Sequence, residues 1–386
     1  MVLLLSASCK RKVISDSKPF SLSGSNWTEV GNHGYEGPNP LSSLFIDSTG
    51  NIFSSGKTYQ TTIGGYNYNV DYVTKWNGVY WQQLGTGTNS LNANAYISNI
   101  CKDNSGNLYA AGMFTDSTFV SSYWCHPTGN AYIAKWDGIK WSNLGGKGSL
   151  PAQYISSIVF NPTNGYLYAA VVKSYNPTFD YDIYFWNGSV WATIDNSNTK
   201  LNRSAIKLYV DNNGNLYAGG TFTNSSGKYF VAKWSGTNWI ELGAGGNELN
   251  ANGNIETICG DATGNIYAAG DFTNAIGNNF VAKWDGTKWT ELGGINALAG
   301  NGRIISICID GAGNLYAGGS MSYKIDAFDM CYYVAKWNGS NWSIIGKNTL
   351  FASGGFNQLS VNSTGTIYAV GSFANAAKNC YVGSYP

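Results

Sequence analysis

An all-β ring of seven four-stranded antiparallel blades is the fold that this sequence predicts, on three observations. A motif whose commonest form is Asp, two residues, Gly-Asn and an apolar-Tyr strand recurs seven times, starting at Asp47, Asp103, Asn161, Asp211, Asp261, Asp310 and Asn362, 49 to 58 residues apart. Trp pairs with four residues between them bracket an Asn-Gly, Asp-Gly or Ser-Gly: Trp76/Trp81, Trp136/Trp141, Trp186/Trp191, Trp234/Trp239, Trp284/Trp289 and Trp337/Trp342. Between these landmarks run short stretches rich in β-branched and aromatic residues, bounded by Gly, Asn and Asp, which is how short strands read.

The fifth copy shows the unit. Strands are expected over 255–260, 265–270, 279–284 and 288–293. Asp261 to Gly264 forms the first turn, with Gly at the left-handed position, and Asp285-Gly286 carries the positive φ that a tight hairpin needs. Four such strands per repeat bury their faces only against neighbouring copies, which gives a seven-bladed β-propeller. The chain ends on half a unit, Tyr381-Val-Gly-Ser-Tyr385, similar to Phe280-Val-Ala-Lys-Trp284. The missing half stands at the other terminus, where Gly24-Ser-Asn-Trp27-Thr-Glu-Val-Gly31 matches Gly286-Thr-Lys-Trp289-Thr-Glu-Leu-Gly293. The N-terminal strand is therefore expected to complete the last blade and close the ring, so that 24–386 is one propeller and 1–23 a leader and linker.

Composition excludes some functions. With 12% charged residues and a net charge of +1, the chain has no basic field to hold a nucleic acid. Only His33 and His126 exist, so a multi-histidine metal site lacks ligands, and no metal or cofactor is expected. The Asp-x-x-Gly-Asn runs invite a calcium reading, but they lack the later acidic ligands of a calcium loop and recur where a hairpin needs them.

The Asp-x-x-Gly-Asn-apolar-Tyr-x-x-Gly run resembles the bacterial seven-bladed β-propeller repeat, and Gly219-Gly220 and Gly318-Gly319, each followed by a Trp pair, are similar to kelch repeats. The resemblance covers about residues 24 to 386. It departs at Ala169-Ala170 and in the Ala-Gly or Ser-Gly that most copies carry. It implies a propeller and a binding or scaffolding role. Propeller oxidases and sialidases fit poorly, since the His are few and the Arg are only Arg11, Arg203 and Arg303, the first in the leader.

With strands labelled a to d outward, ab and cd turns share one face, and bc and da connections share the other. The bc connections at 57–69, 113–131, 173–182 and 320–331 are longer than those at 221–228 and 271–278, and such variation on one face marks the expected binding face. They carry Tyr59, Tyr66, Tyr68, Tyr123, Trp124, Tyr175, Tyr181 and Tyr323, rings that suit sugar faces or protein hot spots and equally pack their own loops. The da connections repeat a Leu-Asn pattern that places Asn92, Asn94, Asn202, Arg203, Asn250, Asn252, Asn301 and Arg303 near the axis. These amides suit a glycan or peptide, or else satisfy turn backbone. Loop acids Asp71, Asp116, Asp180, Asp182, Asp326 and Asp329 are the candidates for glycoside chemistry.

Cys101, Cys259 and Cys308 occupy one innermost-strand position and read as core thiols, while the pairing of Cys125, Cys331 and Cys380 is open. Lys75, Lys135, Lys233, Lys283 and Lys336 each precede a Trp and read as solvated edge charges. Cys9, after Leu3-Leu4-Leu5-Ser6-Ala7-Ser8, resembles the lipidated Cys of a bacterial lipoprotein signal with a short apolar run. The expectation is an exported, lipid-anchored, monomeric module that binds a glycan or protein without catalysis. The alternatives are a polysaccharide hydrolase or lyase using loop carboxylates, and a structural surface scaffold.

Overall fold

The structure, a computed structural model, describes residues 22–23, 26–31, 40–63, 66–116, 129–174, 180–194, 200–294, 298, 300–324, 330–346, 352–375 and 380–386. Seven blades of four antiparallel strands form a ring. Blade 1 is Leu41–Ile46, Ile52–Ile63, Tyr66–Trp76 and Trp81–Gln83, and blade 2 is Ile97–Lys102, Leu108–Gly112, Ala134–Trp136 and Trp141–Asn143. Blades 3, 4 and 5 start at Tyr154–Phe160, Ala205–Val210 and Ile255–Gly260, and blade 6 at Ile304–Ile309. Blade 7 has Ala352–Val361, Ile367–Phe373 and Gly383–Tyr385, and Thr28–Glu29 pairs with the last of these as its fourth strand. Each first strand packs on the first strand of the next blade, from blade 1 round to blade 7 and back, so the ring is closed. One element was not expected: Leu22–Ser23 runs parallel to Trp342–Ile345 as a fifth strand on blade 6, just before the chain crosses to blade 7.

Side chains that repeat in sequence do repeated jobs. The second Trp of a pair donates its indole N–H to a carbonyl just past the last strand of the preceding blade, as Trp141 to Leu84 (2.9 Å), Trp289 to Leu242 (2.9 Å) and Trp342 to Leu292 (3.0 Å). Trp81 donates to Val30 at 2.9 Å, the same bond across the closure. Each repeated Asp folds its turn by accepting from backbone and side chain: Asp261 Oδ1 takes the N–H groups of Thr263 and Asn265, and Oδ2 takes Asn265 Nδ2 and the Tyr267 hydroxyl. These oxygens are occupied by donors from the turn itself. Blade 1 has Phe53 where that Tyr stands elsewhere, and Lys102 of blade 2 fills the vacancy, 2.7 Å from Asp47 Oδ2.

The innermost strands are stapled to one another. In all seven the ladder shifts register in the first part of the strand, as between Ile155 and Ser157. The bulged residue is left unpaired by its own sheet. In blades 1, 3 and 7 it donates to the first carbonyl of the next blade: Ser42 to Ile97 (2.7 Å), Ser156 to Ala205 (2.7 Å) and Asn357 to Leu41 (2.9 Å). In blades 3, 5, 6 and 7 the following residue accepts an N–H of the next blade: Ser157 from Leu208 (3.0 Å), Thr257 from Ile307 (3.3 Å), Ser306 from Leu359 (3.0 Å) and Gln358 from Leu44 (3.0 Å).

Candidate functional site

The expected binding face differs from its sequence reading in one respect. Segment 57–69 is not a loop: Ile52–Ile63 and Tyr66–Trp76 pair along their length, with Tyr59 opposite Val70, Thr61 opposite Tyr68 and Ile63 opposite Tyr66. Alternating Thr, Tyr, Ile and Val around a Gly-Gly favour a hairpin over irregular chain. Blade 1 thus carries a two-stranded arm beyond the blade. Blade 3 extends its strands to Ser174 and Asp180, and blade 6 adds the pair Ser322–Lys324 and Met330–Tyr332. Blades 4 and 5 close with short turns in which Asn224 and Asn274 bond to Lys228 and Asn278. Variation in length is therefore a property of this face, while the ab face repeats one Asx turn.

Tyr123, Trp124, Tyr175 and Cys9 lie outside the described residues, as do Cys125, Asp326 and Asp329. Asn94, Asn202, Asn252 and Asn301 make one repeated clamp. Each accepts from a backbone N–H 21 positions on, at Thr115, Thr223, Thr273 and Ser322, and returns its amide to the same residue. Asn92 and Asn250 take left-handed φ of 45° and 50°, a conformation Asn tolerates. These six fix the da connections and the roots of the bc arms.

Tyr181 and Arg203 are brought together, lining a small pocket with Lys200 and Asp182. Beside it Lys173 Nζ reaches Asp180 (2.7 Å) and Asp182 (2.5 Å), and Lys200 Nζ reaches Asp180 (2.7 Å) and Asp182 (3.2 Å). Burial would raise Asp180, but the two ammonium groups outweigh it and hold its carboxyl below the usual range. A carboxylate held ionised in this way is unsuited to general-acid work. Tyr323 packs near Tyr333, with ring centroids 6.1 Å apart.

At the axis the structure joins Arg303, which the sequence reading placed there, to groups that reading missed. Arg303 of blade 6 donates from Nε to Asp271 at 2.6 Å and stands 3.9 Å from Glu256 of blade 5. Glu256 lies at the bulged position, 12% exposed, and burial pushes its carboxyl up while Arg303 opposes. Its charge also reaches Tyr154 of blade 3, whose hydroxyl bonds to Ser98 and Tyr96 of blade 2. Tyr154 and Tyr96 rings lie 6.3 Å apart, and Tyr96 is exposed. Blades 2, 3, 5 and 6 thus border one mouth, with aromatic hydroxyls, a part-buried carboxyl and a guanidinium. The signal in the sequence was that Glu256 is the one acid on any innermost strand.

Three further readings are corrected or refined. The edge lysines are not simply solvated: Lys75, Lys233, Lys283 and Lys336 lie 5.2 to 5.8 Å from the ring centroids of Phe53, Tyr217, Tyr267 and Tyr316. Among the described residues Cys101, Cys259 and Cys308 are free and part-exposed rather than fully buried, and Cys331 and Cys380 are buried. A cleft of about 490 Å³ between blades 1 and 2 opens on the opposite face, with Phe53, Leu108 and Trp136 below and Gln82, Lys75 and Lys102 around it. It sits where Phe53 replaces Tyr and Lys102 bridges.

Many solved structures are similar to the chain, among them the following three. The extracellular domain of a protein described as a hybrid two-component system of B. thetaiotaomicron superposes with a TM-score of 0.55 at 11% identity, over 94% of this chain and 39% of that one. For the WD40 β-propeller domain of Doa1 the values are 0.53, 14%, 90% and 96%. For PorZ, a surface component of the type-IX secretion system of Porphyromonas gingivalis, they are 0.53, 12%, 90% and 46%. The chain spans less than half the length of the first and third. No protein-family model matches the sequence, and no curated protein matches it. Among the described residues no helix is long and apolar enough to cross a membrane. Identities this low speak for fold alone, and the chain is a seven-bladed β-propeller of four-stranded antiparallel blades.

Proposed function

We propose that the protein is a non-catalytic binding module that takes a glycan or a protein segment on its bc/da face, working as a monomer outside the cell and tethered by a lipid on Cys9. One observation carries this reading: the arms vary on that face, where Tyr96, Tyr154, Glu256 and Arg303 converge at the axis. Aromatic hydroxyls with a carboxylate and a guanidinium recognise hydroxyl-rich or peptide ligands by hydrogen bonds at low entropic cost. The likeness to kelch repeats and to extracellular or surface propellers is compatible with it.

A second reading, a polysaccharide hydrolase or lyase, is favoured by Glu256, whose raised carboxyl suits proton donation. One experiment separates the two. Labelled protein is screened on a glycan array, and each saturable hit is then incubated with unlabelled protein. Binding with the glycan left intact is expected. Cleavage abolished by Glu256→Gln would establish the enzyme, and the absence of any glycan or protein ligand would leave the scaffold.

A further inference from the structure

The junction of blades 1 and 2 departs from the repeat at two positions that border one cleft. Where Phe53 stands the other six blades have Tyr, and four of those hydroxyls bond the Asp of their own turn, as Tyr267 bonds Asp261 at 3.0 Å. Where Lys102 stands, at the end of the first strand, the others have Ile46, Phe160, Val210, Gly260, Ile309 and Val361. The two changes are coupled, because Lys102 gives Asp47 the hydrogen bond that Phe53 cannot. An ammonium has three N–H groups, though, and among the described residues Asp47 takes only one of them.

The rest of the Lys102 side chain, 26% exposed, lies on the cleft of about 490 Å³. Lys75 lines it too and makes no ion pair among the described residues, its amine lying 5.8 Å from the centroid of the Phe53 ring. Asn51, Gln82, Gln83 and Asn89 add amides, and among the described residues no Asp or Glu lines the cleft. With Lys102 already paired to Asp47, the site carries one uncompensated positive charge above aromatic rings, which complements a single carboxylate.

The lip is apolar. Ile139 is exposed there, Val79 and Tyr80 are exposed on the turn that joins the strands of Lys75 and Gln82, and Val190 continues the line on blade 3. Blades 4, 5 and 6 have Thr237-Asn238, Thr287-Lys288 and Ser340-Asn341 at these positions. Four of the seven large apolar side chains exposed among the described residues therefore lie in three neighbouring turns, and such clustering marks an interaction surface where single exposed residues do not. A surface that runs over three blades is wider than a small molecule in the cleft would cover. We infer that the cleft between blades 1 and 2 and the apolar turns beside it dock an extended segment of a partner protein, which sets an Asp or Glu carboxylate against Lys75 and Lys102 and rests apolar neighbours on Ile139 and Tyr80. The surface is on the face opposite the bc/da arms and stands whether or not that face binds.

A displayed library of random peptides, selected on the full chain, tests this, with enriched sequences synthesised and titrated by fluorescence anisotropy. Phe53→Tyr combined with Lys102→Ile rebuilds the junction of blades 5 and 6, where Tyr267 and Ile309 hold these positions, so it should keep the wild-type unfolding midpoint while removing the amine. Lys75→Gln removes the other amine at a part-exposed position, and Ile139→Asp puts a like charge on the lip. The enriched peptides are expected to carry Asp or Glu flanked by apolar residues and to bind more weakly as salt rises. Their affinity should fall about tenfold or more in each variant. No enrichment, enriched peptides without an acid, or unchanged affinity in the variants that unfold like the wild type would overturn the assignment. So would self-association of the wild type in sedimentation that Ile139→Asp abolishes, since the face would then belong to a second copy of the chain.

Discussion

Asp47, Asp103, Asp261 and Asp310 show how one residue type builds one face of the ring. Burial alone would raise these carboxyls, but hydrogen bonds from the turn outweigh it and hold all four below the usual range. Their stabilisation is complete above the unfolded-chain value of about 4, and it is lost as pH falls further, because the unfolded chain takes up protons first. Acid unfolding should therefore begin below about pH 4, followed by circular dichroism. Asn161 and Asn362 already serve two of the seven turns without charge, so Asp261→Asn should make the midpoint less sensitive to acid. Asp261→Ala, which also strips its donors of their acceptor, should cost about 2 to 3 kcal/mol in denaturant unfolding. These roles were legible in the sequence because the Asp recurs with its Gly and Asn. Lys102 and Glu256 were not, since each is a single departure whose partner comes from another blade.

At the scale of the element, the Trp pair and the blade 1 arm divide the work. Trp289→Phe keeps the aromatic ring but loses the bond to the Leu242 carbonyl, and should lower stability by about 1 kcal/mol, read as a shift in denaturation midpoint. Trp pairs and Asp-Gly turns made the strands readable, because their spacing fixes where hairpins turn. The arm was read as loop because length alone distinguishes 57–69 from its counterparts, and register, which only pairing reveals, makes it sheet. The da Asn clamps were undecidable in the same way: an amide that holds a turn and one that holds a ligand look alike until a partner 21 residues away is placed. Replacing 58–69 with the short turn of blade 4, residues 224–228, should leave the unfolding transition in place, since those strands stand outside the blade.

For the whole molecule, closure is the decisive feature. Trp27 is buried against Phe356 and Tyr385, with ring centroids 6.5 and 5.5 Å away, and Thr28–Glu29 covers the edge of Gly383–Tyr385. Removing residues 1–31 would uncover that strand and take away the Val30 carbonyl that Trp81 bonds, so the truncated chain should aggregate, seen by light scattering, where the full chain does not. Closure was legible because the two half-units at the termini match complete ones. The ligand was not, because a fold shared by unrelated functions does not specify a site.

Binding on the bc/da face is most directly tested by titrating the strongest array hit into three proteins: the wild type, the variant with the blade 1 arm shortened, and Ile139→Asp, which changes an exposed residue at the lip of the opposite cleft. Affinity should fall at least tenfold in the shortened-arm protein, about 1.4 kcal/mol, and stay unchanged in Ile139→Asp. Unchanged binding without the arm, together with loss in Ile139→Asp, would place the ligand on the other side of the ring and contradict the proposal.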